Sequence, residues 1–193
     1  MKKLALLTCN NYIKELQIVL KNEGIEDVEF SCIPCACYKA NSKDKTVNRK
    51  IIEKLAAKAQ TTKLLLPKEC VGFDISTEMP SCQFVAMRNC FEMFLPTNEL
   101  NQLVRNKNYL ISQAWLANWK EFVYKRWGFN EENVSDFFKE FSEQIALLDT
   151  GLNQNSNQLL SEFAEKINLP AQIIPLSLDY FTNYIKAFLN DSD

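Results

Sequence analysis

The pattern of apolar and polar positions switches repeatedly between short unbroken apolar runs and stripes spaced three or four residues apart. Leu4 to Thr8 reads as a strand buried on both faces. Asn10 or Asn11 can cap the helix that follows, with Ile13, Leu16 and Leu20 on its stripe and Gly24 at its end. Val28 to Ile33 predicts a second strand. Asp44 or Lys45 opens a helix carrying Val47, Ile51, Leu55 and Ala59. Strands are expected again at Leu64 to Leu66 and Gln83 to Ala86, with a helix starting near Asn89.

The second half repeats the alternation. Tyr109 to Ser112 reads as a strand leading into Trp115, Trp119, Phe122 and Trp127, which recur at helical spacing and suit core packing. Gly128 ends that stretch. Glu131 to Glu143 predicts an amphipathic helix with Val134, Phe137, Phe138 and Phe141 inward. Gln144 to Leu148 is a strand, and a helix capped by Ser156 presents Leu159, Leu160, Phe163 and Ile167. Ile173 to Leu176 is the last strand, and Ser177 caps the closing helix. Strands alternating with helices point to an α/β fold: a mostly parallel, doubly wound sheet flanked by helices on both faces, Rossmann-like and three-layered. We expect one domain over residues 1–193, and the abrupt helical end allows it to be the front of a longer chain.

Charge changes this picture little. Lysine and arginine total 22 against 24 acids, a formal charge of −2, without the clustered basic side chains that nucleic acid or an anionic membrane demands. The opening Met-Lys-Lys imitates a signal peptide, but its apolar core, Leu4 to Leu7, is short of the usual ~7–15 residues. No apolar run reaches the ~20 residues of a membrane span. A cytoplasmic protein is expected.

Cysteine and histidine usage changes it most. There are 7 cysteines, an odd count that argues against a disulfide framework in a reducing compartment, and no histidine. Cys9, Cys32, Cys35, Cys37, Cys70 and Cys90 all fall at or past the carboxyl ends of predicted strands, where open parallel sheets bind ligands. Cys9 and Cys90 also sit where helices are expected to begin, and a helix start favours thiolate. Cys32-Ile-Pro-Cys35 is a CxxC and Cys35-Ala-Cys37 a CxC, half of a zinc-type site without a second knuckle. Thioredoxin-type chemistry fits poorly, because no clear helix follows. Cys82 opens a buried strand and reads as core.

Other motifs exclude more than they suggest. Asp149-Thr-Gly151 matches an aspartic-protease triplet without a second copy, and reads as a strand-end turn. With 4 glycines the chain lacks a dinucleotide fingerprint and a P-loop, and without histidine no serine triad forms.

Several short segments carry a family likeness. They are Thr8-Cys9, Leu64-Leu-Leu-Pro-Lys-Glu-Cys70-Val-Gly72, Arg88-Asn89-Cys90-Phe-Glu-Met-Phe-Leu95, Tyr109-Leu-Ile-Ser-Gln-Ala-Trp115 and Leu147-Leu-Asp149-Thr150-Gly151. In these the chain resembles an uncharacterised bacterial and archaeal domain-of-unknown-function family, often encoded beside corrinoid-dependent methyltransferases. The resemblance implies a shared role for Cys9, Cys70 and Cys90, as ligands to a metal. Where the family has a histidine this chain has Met87 or Arg88, and Asn89 replaces its aspartate. Glu69 stands where it has glycine. An early leucine-histidine segment is replaced by Cys32 to Cys37, so one of those cysteines becomes a candidate fourth ligand. The rival reading is that this branch has lost the site.

The expectation is therefore a domain that binds a metal or metallocofactor through Cys9, Cys70 and Cys90, assisted by Cys32, Cys35 or Cys37. Asn10, Asn89, Trp115 and Asp149 are expected as supporting groups. A closed four-thiolate site suits zinc or an iron–sulfur cluster; three ligands and an open position suit substrate or a corrinoid. Sensing or handling that cofactor would be the function. The alternatives are a thiol-dependent enzyme linked to corrinoid methyl transfer, with a corrinoid protein or methyltransferase as partner, and an interaction domain without metal.

Overall fold

A computed structural model describes residues 2–34, 37, 42–85 and 87–190. The chain divides into two compact units. One holds the residues up to Met93 and takes in the chain again from Thr182; the other spans Phe94–Phe181. Each is built on its own all-parallel sheet, so the parallel α/β class expected from the alternation holds, with the strands shared between two sheets.

In the first unit β1 (Lys2–Cys9), β2 (Val28–Ile33), β3 (Ala59–Leu65) and β4 (Cys82–Phe84) lie in the order β2-β1-β3-β4. Helices α1 (Ile13–Asn22) and α2 (Ser42–Ala56) make the crossovers, and the short α3 (Lys68–Val71) and α4 (Ile75–Glu78) precede β4. β1 is buried from Ala5 to Cys9 because both faces are covered. On one face Ala5 and Leu7 join Ile33, Leu64 and Leu66 against Ile52 and Leu55 of α2. On the other, Lys63 stands in register with Leu6. Its ammonium donates to the Phe188 carbonyl at 2.8 Å, in the last turn of the closing helix. The charge thus lies at the negative end of that helix.

The α2 stripe differs from the expected one. Asn48, Ile52 and Leu55 point inward while Val47 is 39% exposed, and Ala59 already belongs to β3. The predicted helix at Asn89 is a 3-10 turn over Cys90–Met93.

The second unit carries β5 (Asn108–Ser112), β6 (Gln144–Asp149) and β7 (Ala171–Pro175) in that spatial order. Around them run α5 (Thr97–Arg105), α6 (Gln113–Ala117), α7 (Val134–Phe141) and α8 (Ser156–Ile167). Helix α9 (Asp179–Asn190) closes the chain. Its first backbone N–H is taken by Ser177 Oγ at 3.1 Å, the expected cap. The tryptophan stretch is not one regular helix: α6 stops at Ala117 and a π-helix covers Glu121–Arg126. Trp115, Trp119 and Phe122 are nevertheless buried, as core packing requires.

Helix α7 begins three residues later than the pattern suggests, because Asn130 and Asn133 cap each other. Asn133 Oδ1 accepts from Asn130 N at 2.8 Å, and Asn130 Oδ1 accepts from Glu132 N and Asn133 N at 3.0 Å each. Phe141, expected inward, is the last helical residue and 62% exposed.

Candidate functional site: a thiol cluster at the end of the first sheet

The strand order β2-β1-β3-β4 has its switch point between β1 and β3, since the chain leaves the carboxyl end of β1 toward one side and that of β3 toward the other. A crevice opens there in folds of this type. Cys9 is the last residue of β1 and Cys70 lies in α3, just past β3. Cys37 follows β2 and Cys90 follows β4. Three of these thiols, Cys90, Cys37 and Cys9, act on Tyr12, a buried side chain whose hydroxyl lies 3.1 Å from the Cys90 sulfur. Burial, and then the neighbouring thiols Cys90, Cys37 and Cys9, hold the phenol well above its ordinary pKa.

The two asparagines after β1 do different work from the expected cap. Helix α1 starts at Ile13 with no side-chain cap. The Cys9 thiol instead donates to Asn10 Oδ1 at 3.7 Å, and Asn11 Nδ2, in a side chain only 5% exposed, donates to the Cys37 sulfur at 3.6 Å. Cys70 is fixed from behind by Asn48 of α2. That buried amide donates to the carbonyls of Cys70 at 3.1 Å and Val71 at 3.4 Å. Gly72 then ends α3 at φ 80°, a conformation costly for any residue with a Cβ.

The electrostatics are those of buried thiols near one another. Burial pushes the Cys70 thiol up to about 12, helped by Cys9, Cys37 and Glu69. Burial also drives Cys90 far above the ordinary thiol range; the Tyr12 hydrogen bond offsets part of this, while Cys37, Cys9 and Cys70 add to it. The expectation that a helix start would favour thiolate at Cys90 is thus reversed: four residues of 3-10 helix offer little dipole, and burial outweighs it.

The Cys70 shift has a consequence for stability. Below 9.0, the ordinary thiol value, folded and unfolded chains both keep this proton. Between 9.0 and about 12 the unfolded chain gains by releasing it and the folded chain cannot, so stability falls across that window. Urea unfolding midpoints should decline above pH 9.0 in the metal-free protein and decline less in Cys70→Ser. Equal slopes in the two proteins would count against this origin.

The other expected residues fall elsewhere. Cys32 is in register with Thr8, and Cys9 with Ile33, so Cys32 projects from the opposite face of the sheet to Cys9. Cys35 lies outside the described residues. Cys82 packs in the core cluster beside α2, as expected. Asn89 caps the Cys90 turn, its Oδ1 accepting from Phe91 N at 3.0 Å. Trp115 and Asp149 belong to the second unit. Trp115 stacks on Phe122 with centroids 5.9 Å apart. Asp149 accepts from Gln113 Nε2 and, at 2.7 Å, from Gly151 N, the strand-end turn its sequence suggests. Among the described residues no group of three or more cysteines, aspartates and glutamates is placed to hold a metal ion.

Sequence reading missed Tyr12, Asn11 as a partner of Cys37, and Asn48. Only Asn48 left a trace, as a polar residue four positions before Ile52 on the inward face of α2.

Fold and site together define a parallel α/β chain with thiols lining a switch point. The chain belongs to the family described as "Protein of unknown function (DUF1638)", whose sequence model matches residues 49–185. Among solved structures it is similar to the ABC domain in complex with L-Trp from Streptococcus pneumonia. The identity there is 11%, with 99% of this chain and 85% of that chain covered and a TM-score of 0.43. It is also similar to a sugar transporter from Clostridium phytofermentans at 8% identity, covering 91% of this chain and 80% of that one, with a TM-score of 0.35. No curated protein matches. Among the described residues no helix is long and apolar enough to cross a membrane.

Proposed function

We propose that this protein binds a thiophilic metal ion or metal cluster at the carboxyl edge of its first sheet, with Cys9, Cys70 and Cys90 as the inner ligands. The observation that carries the reading is the placement of Cys9, Cys37, Cys70 and Cys90, from separate segments, at or past the carboxyl ends of the strands of one sheet, with the Tyr12 hydroxyl 3.1 Å from the Cys90 sulfur. The donor set suits soft cations, so zinc or an iron–sulfur cluster fits better than a hard, oxygen-seeking ion. A bound cation would stabilise the thiolates that burial and mutual repulsion now disfavour. Asn11 donates an N–H to the Cys37 sulfur, and the Tyr12 hydroxyl, 3.1 Å from the Cys90 sulfur, would donate to it once that sulfur is a thiolate, which would steady its negative charge. A reducing cytoplasm would keep these thiols available.

The rival reading, a nucleophilic thiol enzyme, fits less well. A nucleophile needs thiolate near neutral pH, and burial drives Cys70 and Cys90 the other way.

Cadmium is a suitable probe, because cadmium thiolates absorb in the ultraviolet where protein thiols do not. Titrating reduced, metal-free protein without oxygen should give a thiolate-to-cadmium band that saturates at about one ion per chain. A band that never saturates, or none, would refute the site.

A further inference from the structure

Strand β7 is an edge of the second sheet, and the backbone groups on its open side are set to receive another strand. The ladder to β6 fixes which groups point where. Ile145 N donates to the Pro170 carbonyl at 2.9 Å, and Leu176 N to the Asp149 carbonyl at 2.8 Å. Residues that bond a given neighbour alternate along a strand, so Gln172 and Ile174 also turn their backbone groups to β6. Ala171, Ile173 and Pro175 therefore turn theirs outward, and all three residues are exposed. Among the described residues no strand pairs with that side. The outward set is the N–H of Ala171, the N–H of Ile173 and the carbonyls of all three; Pro175 has no N–H to give. Beside this edge runs a groove of about 830 Å³ against α8, with Leu160, Ala164, Pro170 and Ile173 in its lining. Ile173, at the middle of the edge, is 39% exposed.

We infer that β7 pairs antiparallel with β7 of a second copy of this chain, about a two-fold axis at Ile173, joining two three-stranded sheets into one. Complementary partial charges select this occupant. With Ile173 opposite its own counterpart, the two residues exchange N–H and carbonyl, and Ala171 N–H of each copy meets the Pro175 carbonyl of the other. Every outward donor then has an acceptor, and no donor faces a donor. The N–H that Pro175 lacks is missed only at the two ends of the ladder. This register keeps the whole of β7 paired and sets the two Ile173 side chains next to each other on the face that carries the groove, where their apolar surface leaves water. A folded edge is already extended, so it binds without the ordering that a flexible peptide on the same edge would require. The two-fold also uses up this edge on both copies, so growth along it stops at two chains.

Light scattering and amide hydrogen exchange on the full chain test this. The mass in solution should rise from one chain toward two as the concentration climbs to on the order of 100 μM, enough to populate a pairing of micromolar dissociation constant. Over the same range exchange, read by NMR, should slow at Ala171 and Ile173 and stay unchanged at Gln172 and Ile174, whose amides already bond β6. Ile173→Pro removes an N–H that β6 does not use, and an edge strand accepts proline there. The variant should keep the wild-type tryptophan emission while its dimer dissociation constant rises about tenfold or more. Should Ile173→Pro fail to fold, the exchange data on the wild type still decide the matter. A wild type that stays monomeric throughout, or a dimer in which Ala171 and Ile173 exchange as fast as in the monomer, would overturn the pairing. So would a folded Ile173→Pro that dimerises as tightly as the wild type.

Discussion

Phe163→Ala should destabilise the second unit by about 3–5 kcal/mol, the usual cost of emptying a fully buried aromatic site. Phe163 has no exposed surface. Its ring lies 5.4 Å from Trp115, 5.1 Å from Trp119 and 5.3 Å from Phe138, so its loss opens a cavity that several large, rigid groups would have to fill. Interiors this densely packed relax only partly. All three tryptophans of the chain, Trp115, Trp119 and Trp127, lie in this unit, so tryptophan emission follows its unfolding. The urea midpoint by that signal should fall by on the order of 1–2 M. Phe141→Ala is the control. Phe141 is 62% exposed, and its loss should stay within about 0.5 kcal/mol. Equal effects of the two substitutions would mean that the aromatic layer is not packed as described.

That contrast also shows where the sequence could be read and where it could not. Phe137, Phe138 and Phe141 share one helical stripe, and the pattern alone assigns all of them inward. What separates Phe138 from Phe141 is the end of α7: Ser142 turns to extended backbone after the last residue, leaving Phe141 outside. β1 was legible because a strand covered on both faces must be apolar throughout. The α2 stripe was misjudged because its inward face carries Asn48, a polar residue whose partners, two backbone carbonyls, lie more than twenty positions away. The distribution of strands over two sheets leaves no mark on periodicity, which records burial and not pairing.

The candidate site divides the same way. That Cys9, Cys70 and Cys90 follow strands could be read from the alternation, and parallel topology then puts them at one edge. Cys32 could not be judged, because its face depends on register with β1, and shifting register by one residue reverses every side chain. Tyr12 carried no signal as a site residue. A tyrosine at a helix start is ordinary until a sulfur from residue 90 is found 3.1 Å from its hydroxyl.

Cys90→Ser gives the sharpest separation of a ligand from a buried thiol that merely packs. Without metal the change is small in volume and keeps a partner for Tyr12, so stability should move by no more than about 1 kcal/mol. With metal the loss should be large. Removing a partner that only orients a ligand costs about 10–100-fold in affinity, and removing the ligand itself should exceed about 100-fold. At a fixed cadmium concentration well above the wild-type dissociation constant, a 100-fold loss lowers the stabilisation by about 2.7 kcal/mol. The melting temperature of the wild type should therefore rise with cadmium and that of Cys90→Ser hardly at all. Cys82→Ser behaves oppositely if Cys82 is core: it lowers stability by a similar amount with and without cadmium, since its side chain packs beside α2. Cadmium stabilising Cys90→Ser as much as the wild type would take Cys90 out of the ligand set, whatever its distance from Tyr12.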